Sequence, residues 1–303
     1  MKVVIMYFSN TGSTLFMSKR IQTALESANH SVVLHDGFAI LKQYTANGTS
    51  THTPLLVQYH NDLRDADVVG LGCYVSKRTI PSGTAKLFTE KATPSALFAN
   101  MKLYFSFASF GSFQVTPCEY LATYLFQRNE QAKYLGSIEF MDPENHIPLQ
   151  APRGSIDAVR DSELKKLEDF GVNLCERLNG ESLPSMHQIV TETIHPADET
   201  PKAPLGPLQI NPEKCVHCYR CVDQCPYNAL HLPEPGSTVK LPVHHVDECY
   251  GCSRCFNLCP VRAIEFPSVK SEKREQYFWG KSHENLKVNP PPSKEEVLSR
   301  FRD

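Results

Sequence analysis

Eight of the eleven cysteines stand in two groups: Cys215, Cys218, Cys221 and Cys225, then Cys249, Cys252, Cys255 and Cys259. Each group reads C-x2-C-x2-C-x3-C-P, ending in Pro226 or Pro260. Two-residue gaps let three successive thiolates converge on one inorganic core from a single wrapped loop, while the fourth cysteine reaches across to a second core. On that logic Cys215, Cys218, Cys221 and Cys259 hold one [4Fe-4S] cluster, and Cys249, Cys252, Cys255 and Cys225 hold the other. Zinc also takes C-x2-C pairs, but two well-separated pairs satisfy it, so a third cysteine in immediate register has no role there. His217 lies inside the first loop, yet a cluster already supplied with four thiolates needs no further ligand.

The duplication extends beyond the ligands. Every cysteine pair is offset by 34 residues, Cys215 to Cys249 onward, and Ala229 recurs as Ala263 and Leu230 as Ile264. A whole structural unit is therefore repeated. A module of about 60 residues is too small for a large core, so its clusters should supply much of its folding energy. The remaining Cys73, Cys118 and Cys175 have no neighbouring His or Lys pattern and read as small buried hydrophobes.

A second segment with chemical potential is Ser9-Asn10-Thr11-Gly12-Ser13-Thr14, set between an apolar run and a helical pattern from Leu15. Hydroxyls, a glycine and free amides at a helix start suit a phosphate monoester. The loop is neither a dinucleotide G-x-G-x-x-G nor a Walker loop. Gly72-Cys73-Tyr74-Val75-Ser76 and Ala108-Ser109-Phe110-Gly111-Ser112 follow two later strands, at the edge where open α/β sheets bind ligands.

These loops require a parallel sheet to carry them. Candidate strands are 3–8, 31–34, 68–73, 103–107 and 135–140, and helix-like apolar spacing starts at Thr14, Ser82, Thr116 and Ile156. Residues 37 to 60 are rich in Thr and His and show no clear period. The expected fold is α/β, a doubly wound parallel five-stranded sheet, followed by a small α+β cysteine module. Domain limits are expected at 1–180, a Pro/Ser/Thr-rich linker at 181–206, the cysteine module at 207–267 and a charged, proline-interrupted tail at 268–303.

The loop S/T-x-T-G-x-T after the first strand resembles the FMN phosphate loop of flavodoxins, and the cysteine module resembles two-cluster bacterial-type ferredoxins. Together they are similar to the flavodoxin-ferredoxin fusion proteins found mainly in anaerobes, over about 260 residues. The resemblance implies FMN and two [4Fe-4S] clusters. It implies FMN contacts from Ser9, Asn10, Thr11, Gly12, Ser13 and Thr14 at the phosphate, and from Tyr74, Val75, Ser109, Phe110 and Gly111 around the isoalloxazine ring. The sequence departs from the family at Met141-Asp142-Pro143-Glu144-Asn145, where Met-Pro-x-Asn is common, and at Asn10-Thr11-Gly12-Ser13, where Gly-Thr-Gly-Asn is frequent.

Lysine and arginine number 31 against 33 acidic residues, so no charge excess points to nucleic acid or anionic lipid. No run reaches the roughly 18 to 20 apolar residues that cross a bilayer, and the short apolar start reads as a strand rather than a signal peptide. A cytoplasmic location is expected. A flavin handles one or two electrons and a cubane one, so the expected function is electron transfer to or from a redox protein partner. The chain reads as an electron carrier or as a flavin-dependent oxidoreductase without its own NAD(P)H site. The alternative is a ferredoxin whose flavodoxin-like half has lost FMN and acts as a docking module. Structural or sensory clusters are the less favoured third reading.

Overall fold

The computed structural model describes residues 1–10, 12–75, 80–81, 83–110, 117–141, 161–180, 206–238 and 240–267. Thr11, Ser76, Gly111, Ser112, Asn145, the 181–205 linker and the 268–303 tail lie outside the described residues.

Five parallel strands form one sheet: β1 (Lys2–Phe8), β2 (Ser31–Asp36), β3 (Val68–Tyr74), β4 (Leu103–Phe110) and β5 (Lys133–Met141), in the order β2-β1-β3-β4-β5. β1 and β3 are buried almost throughout, as a central parallel strand covered on both faces must be. Met17, Ile21 and Leu25 of α1 (Ser13–Ser27), with Leu167 and Leu174 of α5 (Asp161–Leu178), cover one face through Val3, Ile5, Phe105 and Phe107. The opposite face, with Val4, Met6 and Phe8, receives α2 (Gly37–Ala46), α3 (Pro54–Arg64) and α4 (Pro117–Arg128). Gly70 and Gly72 of β3 are required by close approach, since a Cβ at either would strike the ring of Phe105 or Phe107. The order matches the flavodoxin-like doubly wound fold, whose switch point lies between β1 and β3.

Two expectations need correction. Residues 37 to 60 hold two helices, and their start signals are local: Asp36 Oδ1 accepts from Phe38 N at 2.9 Å, and Thr53 Oγ1 accepts from Leu56 N at 3.4 Å with Pro54 next. The segment after Ser82 is not an α-helix. Only two 3-10 turns form there, Thr84–Phe88 and Ser95–Phe98, separated by Thr89, Thr93 and Pro94. Thr93 Oγ1 donates back to Leu87 O at 2.7 Å, a local bond that competes with helix propagation.

The cysteine module has two antiparallel two-stranded sheets: β6 (Gln209–Ile210) with β9 (Ile264–Glu265), and β7 (Leu230–His231) with β8 (Val243–His244). Two short helices, α6 (Arg220–Asp223) and α7 (Arg254–Leu258), follow the cysteine loops. The halves are related by the 34-residue offset down to single hydrogen bonds. Asn211 N donates to Ala263 O at 2.7 Å, and His245 N to Ala229 O at 2.9 Å. Left-handed residues repeat likewise: His217 with Gly251, Tyr219 with Ser253, and Asn228 with Arg262. Five of these six are not glycine, so the loops hold a backbone costing roughly 1 kcal/mol per residue, which the surrounding structure must enforce.

Candidate redox site

Tight loops set the two groups of thiols. The structure puts Cys259 beside Cys218 and Cys221, and Cys225 beside Cys249, Cys252 and Cys255. Each fourth cysteine thus crosses to the other loop, and none of the cysteines is in a disulfide. Burial, then the crowding of Cys259, Cys218 and Cys215, pushes the Cys221 thiol up to about 12. Burial, then Cys225, does the same to Cys252, to about 12. Four sulfurs brought together from two loops are a donor set for a metal cluster, and binding one would release their protons.

Backbone amides also point at the sulfurs in duplicate. His217 N donates to Cys215 Sγ at 3.4 Å and Gly251 N to Cys249 Sγ at 3.4 Å; Ala229 N donates to Cys225 Sγ at 3.3 Å and Ala263 N to Cys259 Sγ at 3.2 Å. Amide donors to ligand sulfurs are a recognised control of iron-sulfur potential.

At the sheet's carboxyl edge, Ser9, Asn10, Ser13 and Thr14 are buried. Gly12 takes φ 109° and starts α1. The amides of Gly12 and Leu15 both donate to Ser9 Oγ, each at 3.2 Å. Two N–H groups converging on one oxygen is the geometry a phosphate oxygen needs, with the Ser9 hydroxyl standing in for it. Asn10 Oδ1 is buried and accepts no hydrogen bond from the described residues. Thr14 Oγ1 lies 3.0 Å from Ser109 Oγ, and Val75 N donates to Ser109 O at 2.8 Å, so the loops after β1, β3 and β4 are tied together. Phe110 ends β4, half-buried. These residues fit a phosphate-bearing cofactor.

Tyr74 occupies a position its sequence context does not disclose. Its ring lies 6.0 Å from that of Phe38 in α2, and burial, then Cys252, raises its hydroxyl pKa far above the ordinary tyrosine value. It stands between the sheet edge and the second cysteine loop.

That loop is seated on the flavodoxin-like half. Asn10 Nδ2 donates to Cys252 O, and Arg254 Nη1 donates to Ser9 O. Arg254 Nη2 also donates to Gln224 Oε1 at 3.0 Å, comes within 3.9 Å of Asp36, and its guanidinium lies 5.6 Å above the Phe38 ring. Lys42 of α2 donates to Val222 O at 2.7 Å and Asp223 O at 2.5 Å. Asn228 Nδ2 returns to Lys42 O at 3.2 Å and Thr45 Oγ1 at 3.1 Å. Tyr227 packs on Phe38, on Tyr250 and against Gly83. None of these interface residues was legible as such in sequence. Arg254 has a counterpart, Arg220, at the same repeat position, and the residue type alone does not say which of the two will meet the sheet domain.

Cys73 and Cys118 are buried, and burial raises the pKa of both thiols, in keeping with apolar core residues.

Comparison with known proteins agrees with the geometry of the cysteine module: residues 208–266 match the family model of the 4Fe-4S dicluster domain. No curated protein matches the chain. Among solved structures, a flavodoxin from the domain Archaea is 16% identical, with 59% of this chain and 99% of that one covered and a TM-score of 0.40. Rubredoxin oxygen:oxidoreductase from Desulfovibrio gigas is 16% identical, with 59% and 36% covered and a TM-score of 0.40. Megasphaera elsdenii flavodoxin is 19% identical, with 57% and 98% covered and a TM-score of 0.35. The flavodoxin-like assignment rests on the observed strand order. The chain thus carries a sheet domain of flavodoxin-like strand order, followed by a segment that matches the 4Fe-4S dicluster domain. Among the described residues no helix is long and apolar enough to cross a membrane.

Proposed function

We propose that this protein transfers electrons between an FMN on its flavodoxin-like half and two [4Fe-4S] clusters on its cysteine module, and exchanges them with a redox protein partner. The observation that carries this reading is the seating of the Cys252 loop directly on the phosphate-type loop, through Asn10 and Arg254.

The duplicated module is used asymmetrically. Among the described residues, the Cys252 carbonyl, Arg254, Tyr250, Tyr227 and Asn228, all close in the chain to Cys225, Cys249, Cys252 or Cys255, meet the flavodoxin-like half, while beside the other set only Val222 and Asp223 do, through Lys42. Around the other set, His217 and Arg220 are exposed. We therefore assign the Cys249 set as the inner site, next to Tyr74, and the Cys215 set as the outer one, open to a partner.

Within the flavodoxin-like half, the amides of Gly12 and Leu15 with the hydroxyls of Ser9 and Thr14 would hold the phosphate. Ser109 fixes the two loops that border the ring. Bound FMN would supply a centre able to take electrons singly or in pairs. The thiols of each set would hold a cubane, with the paired amide donors tuning its potential.

The test is compositional. Protein purified anaerobically should contain about eight irons, as two four-iron cores require, and about one FMN, as a single phosphate loop allows. About four irons would overturn the two-cluster count. A full iron complement with no flavin, even after reconstitution, would favour a second reading. There the flavodoxin-like half is only a docking module, and one observation speaks for it: Ser9 and Asn10 are already engaged inside the loop and by the cysteine module.

A further inference from the structure

The pairing of β7 with β8 places Leu230 opposite His244 and His231 opposite Val243, and His245 N continues the ladder to Ala229 O at 2.9 Å. His231 and His245 therefore sit two positions apart on one face of the pair, where diagonal side chains meet. Their rings lie 4.3 Å apart at 35°. The 3-10 turn Val246–Glu248 then brings Glu248 Oε2 to 3.2 Å from His231 Nε2. One nitrogen from each imidazole and one carboxylate oxygen all lie within 4.8 Å of one another.

The internal repeat supplies a control. Thirty-four residues away, Glu265 takes the place of His231, Asn211 that of His245 and Lys214 that of Glu248. There the spot is closed by ordinary means. Lys214 pairs with Glu265 at 3.5 Å, and Asn211 Oδ1 accepts from Glu213 N at 2.9 Å and Lys214 N at 3.3 Å. The same backbone is thus held without histidines in one copy. In the other, the lysine is replaced by an acid and both neighbours by imidazoles, so the cation that neutralised the spot is gone while three metal-binding groups converge.

We propose that His231, His245 and Glu248 form a divalent transition-metal site of the zinc type, separate from both cysteine sets and independent of the flavin reading. Two imidazole nitrogens and a carboxylate oxygen are a known three-ligand zinc set that leaves a fourth position to water. Tetrahedral bonds of that kind set ligand atoms about 3.4 Å apart, close to the His231–Glu248 separation. Calcium and magnesium, which take oxygen ligands throughout, do not suit it. The side chains of His231 and Glu248 are 45% and 49% exposed, so an ion can enter from solvent.

The test uses the full chain with its iron in place and zinc ions as the probe. After desalting, the protein should retain one equivalent of zinc with iron unchanged, and X-ray absorption should find only nitrogen and oxygen neighbours at about 2.0–2.2 Å. The His231→Gln/His245→Gln double variant should bind zinc more weakly by more than the roughly 10- to 100-fold that loss of an outer partner costs. The Glu265→Gln variant, at the repeat-related position, should bind as the parent does. Both variants alter partly exposed surface groups, and unchanged iron content reports that the module is intact. Absence of retained zinc, equal retention by the double variant, an equal loss in Glu265→Gln, or sulfur neighbours around zinc would each overturn the proposal.

Discussion

Arg220 and Arg254 are the same residue at the same point of a repeated unit, yet Arg220 is exposed while Arg254 reaches Ser9, Gln224 and the Phe38 ring. The cysteines divide in the same unequal way, because Cys252 offers its carbonyl to Asn10 and none of the four outer cysteines touches the flavodoxin-like half through a described hydrogen bond. The crossed grouping gives a residue-level prediction. Cys225→Ser should remove the same cluster signal in electron paramagnetic resonance as Cys252→Ser, and Cys259→Ser the same one as Cys218→Ser. Pairing within each quartet instead, Cys225 with Cys218, would refute the crossed assignment. The thiol spacing could be read directly from the chain because ligands three positions apart are held by local backbone alone. The exposure of each arginine could not.

At the level of elements, the five strands stand where their apolar runs indicate, and the misses concentrate in the crossovers. α2 was hidden because its neighbours are polar, although Phe38, Leu41 and Tyr44 are buried at helical spacing and Asp36 caps it. α3 carries a pH dependence. Burial lowers the pKa of His60, whose Nε2 lies 2.8 Å from Ala92 O, and burial lowers that of His35 against the opposing pull of Asp62. An imidazole harder to protonate in the fold than in the unfolded chain favours folding above about pH 6.5, and that advantage is lost as pH falls further. The urea midpoint should therefore drop between about pH 7.5 and 5.5, and it should drop less in His60→Gln, which keeps a donor for Ala92 O. An unchanged slope in that variant would show that His60 contributes nothing to the effect.

For the whole molecule, one apolar cluster runs from Val4, Met6 and Phe8 through Phe38 to Tyr227, Leu230 and Phe266, so the cysteine module shares a core with the sheet domain. The module's own strands are only two residues long, and its folding should depend on metal. Stripping the iron should raise hydrogen exchange across 206–267 and at Ser9 and Asn10, which lose their cover, while β1, β3 and β4 stay protected. Retained protection across 206–267 without iron would mean that packing on α2 holds the module unaided.

The sequence by itself determined the chemistry: eight thiols in register, a 34-residue repeat, a hydroxyl-rich loop after the first strand and the α/β alternation that carries it. Each of these is written in residues close together in the chain, where spacing dictates what side chains can reach. Only the tertiary structure decided which half of the repeat faces the sheet, that Tyr74 stands between the two halves, and that two histidines and a glutamate meet at the module's surface. The first two outcomes depend on surfaces joined across long stretches of chain, 242 residues between Asn10 and Cys252, and the third on a strand pairing that brings His231 to His245.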